Sequence, residues 1–160
     1  MTTTAIRDIA RRLTAQGAWL AVAESCTGGL LAKQLTDLPG SSAWFDRGVV
    51  TYANRAKQQL LGVPAALLQR DGAVSEACAR AMAAGLRRRA RVQWTVAITG
   101  VAGPGGGTAA KPVGRVWIAW AGPGGIEARR FRFRGGRSAI RAAAARAAIA
   151  GLRARLLRGG

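Results

Sequence analysis

The chain contains no histidine. That absence excludes the Ser-His-Asp triad, an imidazole general base and histidine metal ligation. Its two cysteines, Cys26 and Cys78, are too few for a thiolate zinc site or a disulfide framework, so no metal is expected and a reducing, cytoplasmic compartment fits. Acids are scarce as well, with 7 Asp+Glu against 25 Lys+Arg and a formal net charge of +18. Aromatic residues make up only 6 %, and no helix-turn-helix, RNA-recognition or zinc-finger pattern accompanies the charge. Nucleic-acid binding is therefore expected to be non-specific at most. No run approaches the ~18 apolar residues of a membrane span. Met1 to Arg12 carries no apolar segment of the kind that precedes a cleavage site. No membrane association and no export are expected.

Lysine is also rare: of the 25 basic residues, 22 are arginine and three are lysine. The arginines accompany abundant alanine, which reads as compositional drift along the chain rather than one basic patch. Ten of them nevertheless lie between Glu127 and the C-terminus, where Glu127 is the only acid. Such a field attracts anions, a nucleotide phosphate included.

What remains is a folded chain. Its 160 residues, 49 % hydrophobic, suffice for one domain with a full core, taken here as 1–160. Apolar residues at helical spacing (Ile6, Ile9, Leu13) predict a first helix stopped by Gly17. Strands are predicted at Trp19–Ala23, Arg47–Tyr52, Trp94–Thr99, Val113–Ala121 and Ile126–Phe133, the last two joined by a hairpin turn at 122–125. Helices are predicted after Gly29, from an Asn54 cap to Leu61, from Pro64 to Leu68, from Ser75 to Leu86, and over Ser138–Leu157. Strands and helices alternate first and a hairpin follows. The expected fold is α/β: a single-domain, three-layer α/β/α sandwich with a mixed central sheet.

Three segments could carry chemistry. Glu24-Ser25-Cys26-Thr27-Gly28-Gly29 joins a buried strand to a helix and offers hydroxyls, backbone N–H groups and a positive helix end; equally, Ser25 or Thr27 merely caps the helix. The second is Gly40-Ser41-Ser42 with Tyr52, Asn54 and Lys57. Without histidine a serine nucleophile needs another base, and a lysine serves once burial makes it neutral. An arginine at the same place could not deprotonate. The spacing equally suits a lysine on a solvated helix face. The third is the glycine-dense stretch after Thr99, with Gly100, Gly103, Gly105 and Gly106, whose backbone can approach a ligand oxygen or simply form a flexible connection.

Taken together, Ala23–Gly29, Pro39–Ser42, Val50–Lys57, Leu61–Val63, Gly72–Glu76, Ile98–Gly106 and Lys111–Gly114 resemble the CinA C-terminal domain family, in order, from about Ile6 to about Ala150. Without the larger N-terminal domain of full-length members, the chain resembles the stand-alone nicotinamide-nucleotide amidohydrolases. The resemblance implies hydrolysis of the carboxamide of nicotinamide mononucleotide to nicotinate mononucleotide and ammonia, within pyridine nucleotide salvage. It implies a serine and a lysine base with neither metal nor cofactor. On that basis Lys57 is the base, Ser42 the first choice of nucleophile and Ser25 the second, with Tyr52 assisting proton transfer. Thr27, Gly28, Gly29, Asn54, Thr99, Gly100, Gly103, Gly105 and Gly106 would contact substrate or oxyanion. Arg141 would bind the substrate phosphate, with Arg137 a second choice. The terminal helix and the 113–133 hairpin offer surfaces for a homodimer. The rival expectation is a non-catalytic nucleotide- or DNA-binding protein linked to competence or damage.

Overall fold

The computed structural model describes residues 1–159. Helix α1 (Thr2–Gln16) buries Ile6, Ile9 and Leu13, one stripe at i, i+3 and i+7, and ends at Gly17, whose φ of 60° is left-handed. Strand β1 (Leu20–Glu24) is buried at every position and so forms the middle of the sheet. Then follow α2 (Leu30–Thr36), a short 3-10 turn (Ser41–Ala43), β2 (Phe45–Val50), α3 (Asn54–Leu61), α4 (Ala65–Asp71) and α5 (Glu76–Ala90). Strands β3 (Trp94–Gly100), β4 (Arg115–Gly122) and β5 (Gly125–Arg132) and helix α6 (Arg137–Arg158) complete the chain. Ser75, expected as the start of this helix, is its cap, its Oγ accepting the Cys78 N–H at 3.1 Å.

The sheet order is β2-β1-β3-β4-β5. The first three strands are parallel, and β4 and β5 are antiparallel additions. This is the expected mixed sheet between two helical layers. Alternate residues of the strands feed separate cores. Leu20, Val22, Val96, Ile98, Ile118 and Trp120 pack with α1, α2 and α6. Ala21, Ala23, Ala97, Ala119 and Ala121 pack with α3, α4 and α5, and their small size lets α5 lie close on the sheet. On the other face α6 meets Trp120, whose indole N–H donates to the Ala148 carbonyl at 2.9 Å. A Cβ on Gly151 would fall 2.2 Å from that ring, so only glycine fits the crossing.

Several boundaries shift by a few residues, and two of the shifts have a local cause. Strand β2 stops at Val50 rather than Tyr52, because the carbonyls of Thr51 and Tyr52 turn to the Lys57 ammonium or amine. Asn54 is the first residue of α3 rather than its cap: Ala53 occupies the cap position and contributes no side-chain bond.

The connection after β1 runs over one face and that after β2 over the other, so the chain reverses direction at β1. In open α/β sheets the carboxyl ends of strands at such a reversal form a crevice. Ser25, Thr51 and Thr99 all stand at those ends.

Candidate active site

Lys57 lies in the first half of α3 and is 1 % exposed. Its Nζ sits 3.1 Å from Ser25 Oγ, 2.7 Å from the Thr51 carbonyl and 3.1 Å from the Tyr52 carbonyl. Among the described residues no carboxylate lies within salt-bridge distance of it. Burial without a counter-charge pushes its pKa below the ordinary value of 10.5. The geometry suits the neutral amine. Two N–H groups satisfy the two carbonyls, which can only accept, and the lone pair is left for the Ser25 hydroxyl. In that state Ser25 donates to Lys57, the arrangement of an activated nucleophile.

The neighbouring thiols are not alternatives. Burial raises both the Cys26 and the Cys78 thiol to about 11, so both remain protonated near neutrality. Cys26 belongs to the opposite core from Cys78.

Ser42 is elsewhere. It is exposed, in the 3-10 turn that precedes β2. Because β1 and β2 are parallel, with Leu20 opposite Phe45, that turn lies at the amino end of β1. The Leu20 N–H donates to the Trp44 carbonyl there, at 2.9 Å. Ser25 follows the carboxyl end, about 16 Å away at ~3.3 Å per residue. The structure thus pairs Lys57 with the second of the two serines singled out from the sequence and leaves the first at the far end of the sheet.

The turn after Ser25 is fixed from both sides. Glu24, 1 % exposed, accepts the N–H groups of Leu31 at 2.9 Å and Ala32 at 3.0 Å. Neither Ser25 nor Thr27 caps α2: the carboxylate does, and it also neutralises the positive helix end that had suggested an anion site. Arg141 donates to the Cys26 carbonyl at 3.1 Å and the Thr27 carbonyl at 3.0 Å from the opposite direction. Glu24→Gln should cost about 1–2 kcal/mol, because one of the two charge-assisted bonds is lost to an amide N–H facing another N–H. Urea unfolding reads that loss directly, and an unchanged midpoint would refute the capping role.

The remaining residues divide into those that wall the site and those that do not reach it. Arg137 joins two walls, donating to the Tyr52 hydroxyl at 2.8 Å and the Gly103 carbonyl at 2.6 Å. Tyr52 is 56 % exposed, so it forms a rim rather than a floor. Thr99 is buried and donates to the Ala73 carbonyl at 2.8 Å, which leaves its hydroxyl committed to the fold. Gly100 must be glycine for packing: a Cβ there would lie 2.8 Å from the Arg115 carbonyl oxygen. Gly28 borders Arg141, and Gly29 has a left-handed φ of 100°. Gly105, Gly106 and Asn54 are exposed, and Asn54 is not among the hydrogen-bond partners of the Lys57 amine. Thr27 is fully buried with an unpartnered hydroxyl. Glu24 and Thr51 had no role assigned from sequence, although a charged residue closing an apolar strand was a signal for the first. Among the described residues no group of His, Cys, Asp and Glu is placed to hold a metal, and no helix is long and apolar enough to cross a membrane. A cavity of about 520 Å³ lies between α1 and α6, away from the dyad.

The chain is similar to known proteins along nearly its whole length. The model of the CinA C-terminal domain matches residues 2–156. A CinA-like protein of Anaeromyxobacter dehalogenans is 55 % identical over 141 residues, covering 88 % of this chain and 35 % of that protein. One from Synechococcus is 56 % identical over 151 residues, 93 % of this chain and 36 % of its own length. The chain thus spans about a third of these relatives. A CinA superfamily protein from Klebsiella pneumoniae superimposes with a TM-score of 0.93 at 42 % identity, over 99 % of both chains. The competence/damage inducible protein CihA of Agrobacterium tumefaciens does so at 0.87 and 45 %, over 96 % of both. With a family model covering nearly its whole length and relatives at this identity, the chain belongs to the CinA C-terminal domain family.

Proposed function

We propose that this protein is a serine–lysine amidohydrolase acting on the carboxamide of nicotinamide mononucleotide or a closely related pyridine nucleotide. The observation that carries the reading is the buried, counter-ion-free Lys57 Nζ, 3.1 Å from Ser25 Oγ. The substrate class rests on the family resemblance, and the arginines at the start of α6 suit its phosphate.

In the first half-reaction Lys57 takes the Ser25 proton and Oγ attacks the amide carbon. The C–N bond breaks, the proton passes from Lys57 to the departing nitrogen, and ammonia leaves an ester on Ser25. The oxyanion needs donors. The N–H groups of Cys26 and Thr27 are candidates, since neither enters a backbone hydrogen bond within the fold. Arg141 holds the Cys26 carbonyl on one side, and the N–H across that trans peptide, that of Thr27, points the other way. Arg141 is thereby half-committed to shaping this turn, so Arg137, more exposed, shares the contact with phosphate. The Arg137 bond to the Tyr52 hydroxyl supports the reading that Tyr52 assists proton transfer from the rim.

The competing reading, a non-catalytic anion binder, draws on the exposed Arg129, Arg130 and Arg132 of edge strand β5. Incubation of the pure protein with nicotinamide mononucleotide and a chelator separates the two. Catalytic ammonia release is expected; salt-sensitive DNA binding with no ammonia would replace the amidohydrolase reading with the other.

A further inference from the structure

The first residue after β2 carries a buried group with no task in the dyad. Thr51 is 0 % exposed and its Oγ1 has no hydrogen-bond partner. Leaving a buried hydroxyl unpaired is costly, so the position calls for a polar atom that arrives from outside the fold.

Strand register says where that atom would sit. Glu24 lies opposite Val50 on one side and Ile98 on the other. The Thr51 N–H donates to the Glu24 carbonyl at 2.8 Å, and the Ser25 N–H to the Ile98 carbonyl at 3.0 Å. One residue further along, Ser25 therefore stands between Thr51 and Thr99. Two residues earlier, Val49, Ala23 and Ala97 all face the layer of α3 and α5. Alternation turns Thr51, Ser25 and Thr99 to that same layer, where Lys57 lies. Thr99 has spent its hydroxyl on Ala73. The Thr51 hydroxyl bonds to neither Ser25 Oγ nor Lys57 Nζ, so it does not compete for the serine proton. It flanks the dyad with its full bonding capacity free.

We propose that Thr51 Oγ1 positions the water that hydrolyses the acyl-enzyme. This rests on the serine–lysine amidohydrolase reading. In that second half-reaction the water gives a proton to Lys57 and its oxygen bonds to the ester carbon. The bond from that carbon to Ser25 Oγ breaks, Oγ recovers the proton from Lys57, and the carboxylate product departs. Acylation uses no water and does not need Thr51.

The test uses Thr51→Val, which swaps the hydroxyl for a methyl at the same branch point, with Thr51→Ala as a smaller second variant and Thr51→Ser as the rescue. With nicotinamide mononucleotide as substrate, the Val and Ala variants should keep the first-turnover burst of ammonia. Their steady-state turnover should fall ~10²-fold, the scale of a misplaced reactant. Intact-mass spectra of quenched reactions should show the protein carrying the acyl ribotide. The Ser variant should run near the wild-type rate with no adduct. Wild-type kinetics in the Val and Ala variants would overturn the inference alone, as would an equal fall in burst and steady state without adduct. No ammonia from the wild-type protein would overturn the amidohydrolase reading and this inference together.

Discussion

Lys57→Arg should lower kcat/KM for ammonia release by ~10²–10⁴-fold, the range that a positioned general base supplies. Arginine has much of the same volume and a permanent positive charge, like protonated lysine, but cannot accept the serine proton. The result therefore separates a base from a lysine that merely contributes charge. Lys57 also sets the pH profile. Burial lowers its pKa from 10.5, so the neutral, competent form grows as pH rises through the lowered value. Activity should climb on an alkaline-going limb whose midpoint lies below 10.5. Stability follows the same sign. Between the lowered pKa and the ordinary one the unfolded chain holds a proton that the folded chain does not, so folding becomes more favourable as pH rises across that window. Lys57→Met should flatten both trends. An Arg variant with near-normal turnover, or an activity profile with no alkaline-going limb anywhere below pH 10.5, would rule out the base.

Ser25→Ala should abolish acylation, with a fall of at least ~10³-fold, whereas Ser42→Ala should stay within about twofold of the wild type. The contrast comes from the sheet. Parallel pairing of β1 and β2 sends Ser42 to the amino end and Ser25 to the carboxyl end, and only the carboxyl end holds Lys57. Each serine variant is read by the ammonia burst, which reports the acylation step alone. An inactive Ser42→Ala beside an active Ser25→Ala would reverse the assignment.

Much of the architecture was legible in residues 1–160 because the periodicities are strong and the stops are glycines. Ile6, Ile9 and Leu13 marked a helix face, Gly17 and Gly62 marked left-handed ends, and the alternation of apolar runs gave the mixed sheet. Lys57 was legible for a chemical reason: it is one of only three lysines in a chain that otherwise uses arginine. The choice between Ser25 and Ser42 was not. It depends on which strands are parallel and where they start, and both serines sit in glycine-bearing turns of similar composition. Glu24 was hidden for a related reason. It reads as the polar end of an apolar strand, and its bond to the amides of Leu31 and Ala32 exists only once α2 folds back over the sheet. Thr51 looked like a strand residue, and what removed it from the strand was the lysine six positions later drawing away its carbonyl.

The alternation at the end of β1 has a chemical corollary. Hydroxyl and thiol are consecutive in the chain, Ser25 then Cys26, and the phase in which β1 delivers the chain into the following turn decides which is presented to the amine and which to the other core. Deleting one residue from Leu20–Ala23 would shift the frame of everything downstream and offer sulfur where oxygen now stands. The identity of the attacking atom is thus written in the parity of a five-residue strand as much as in the side chain itself.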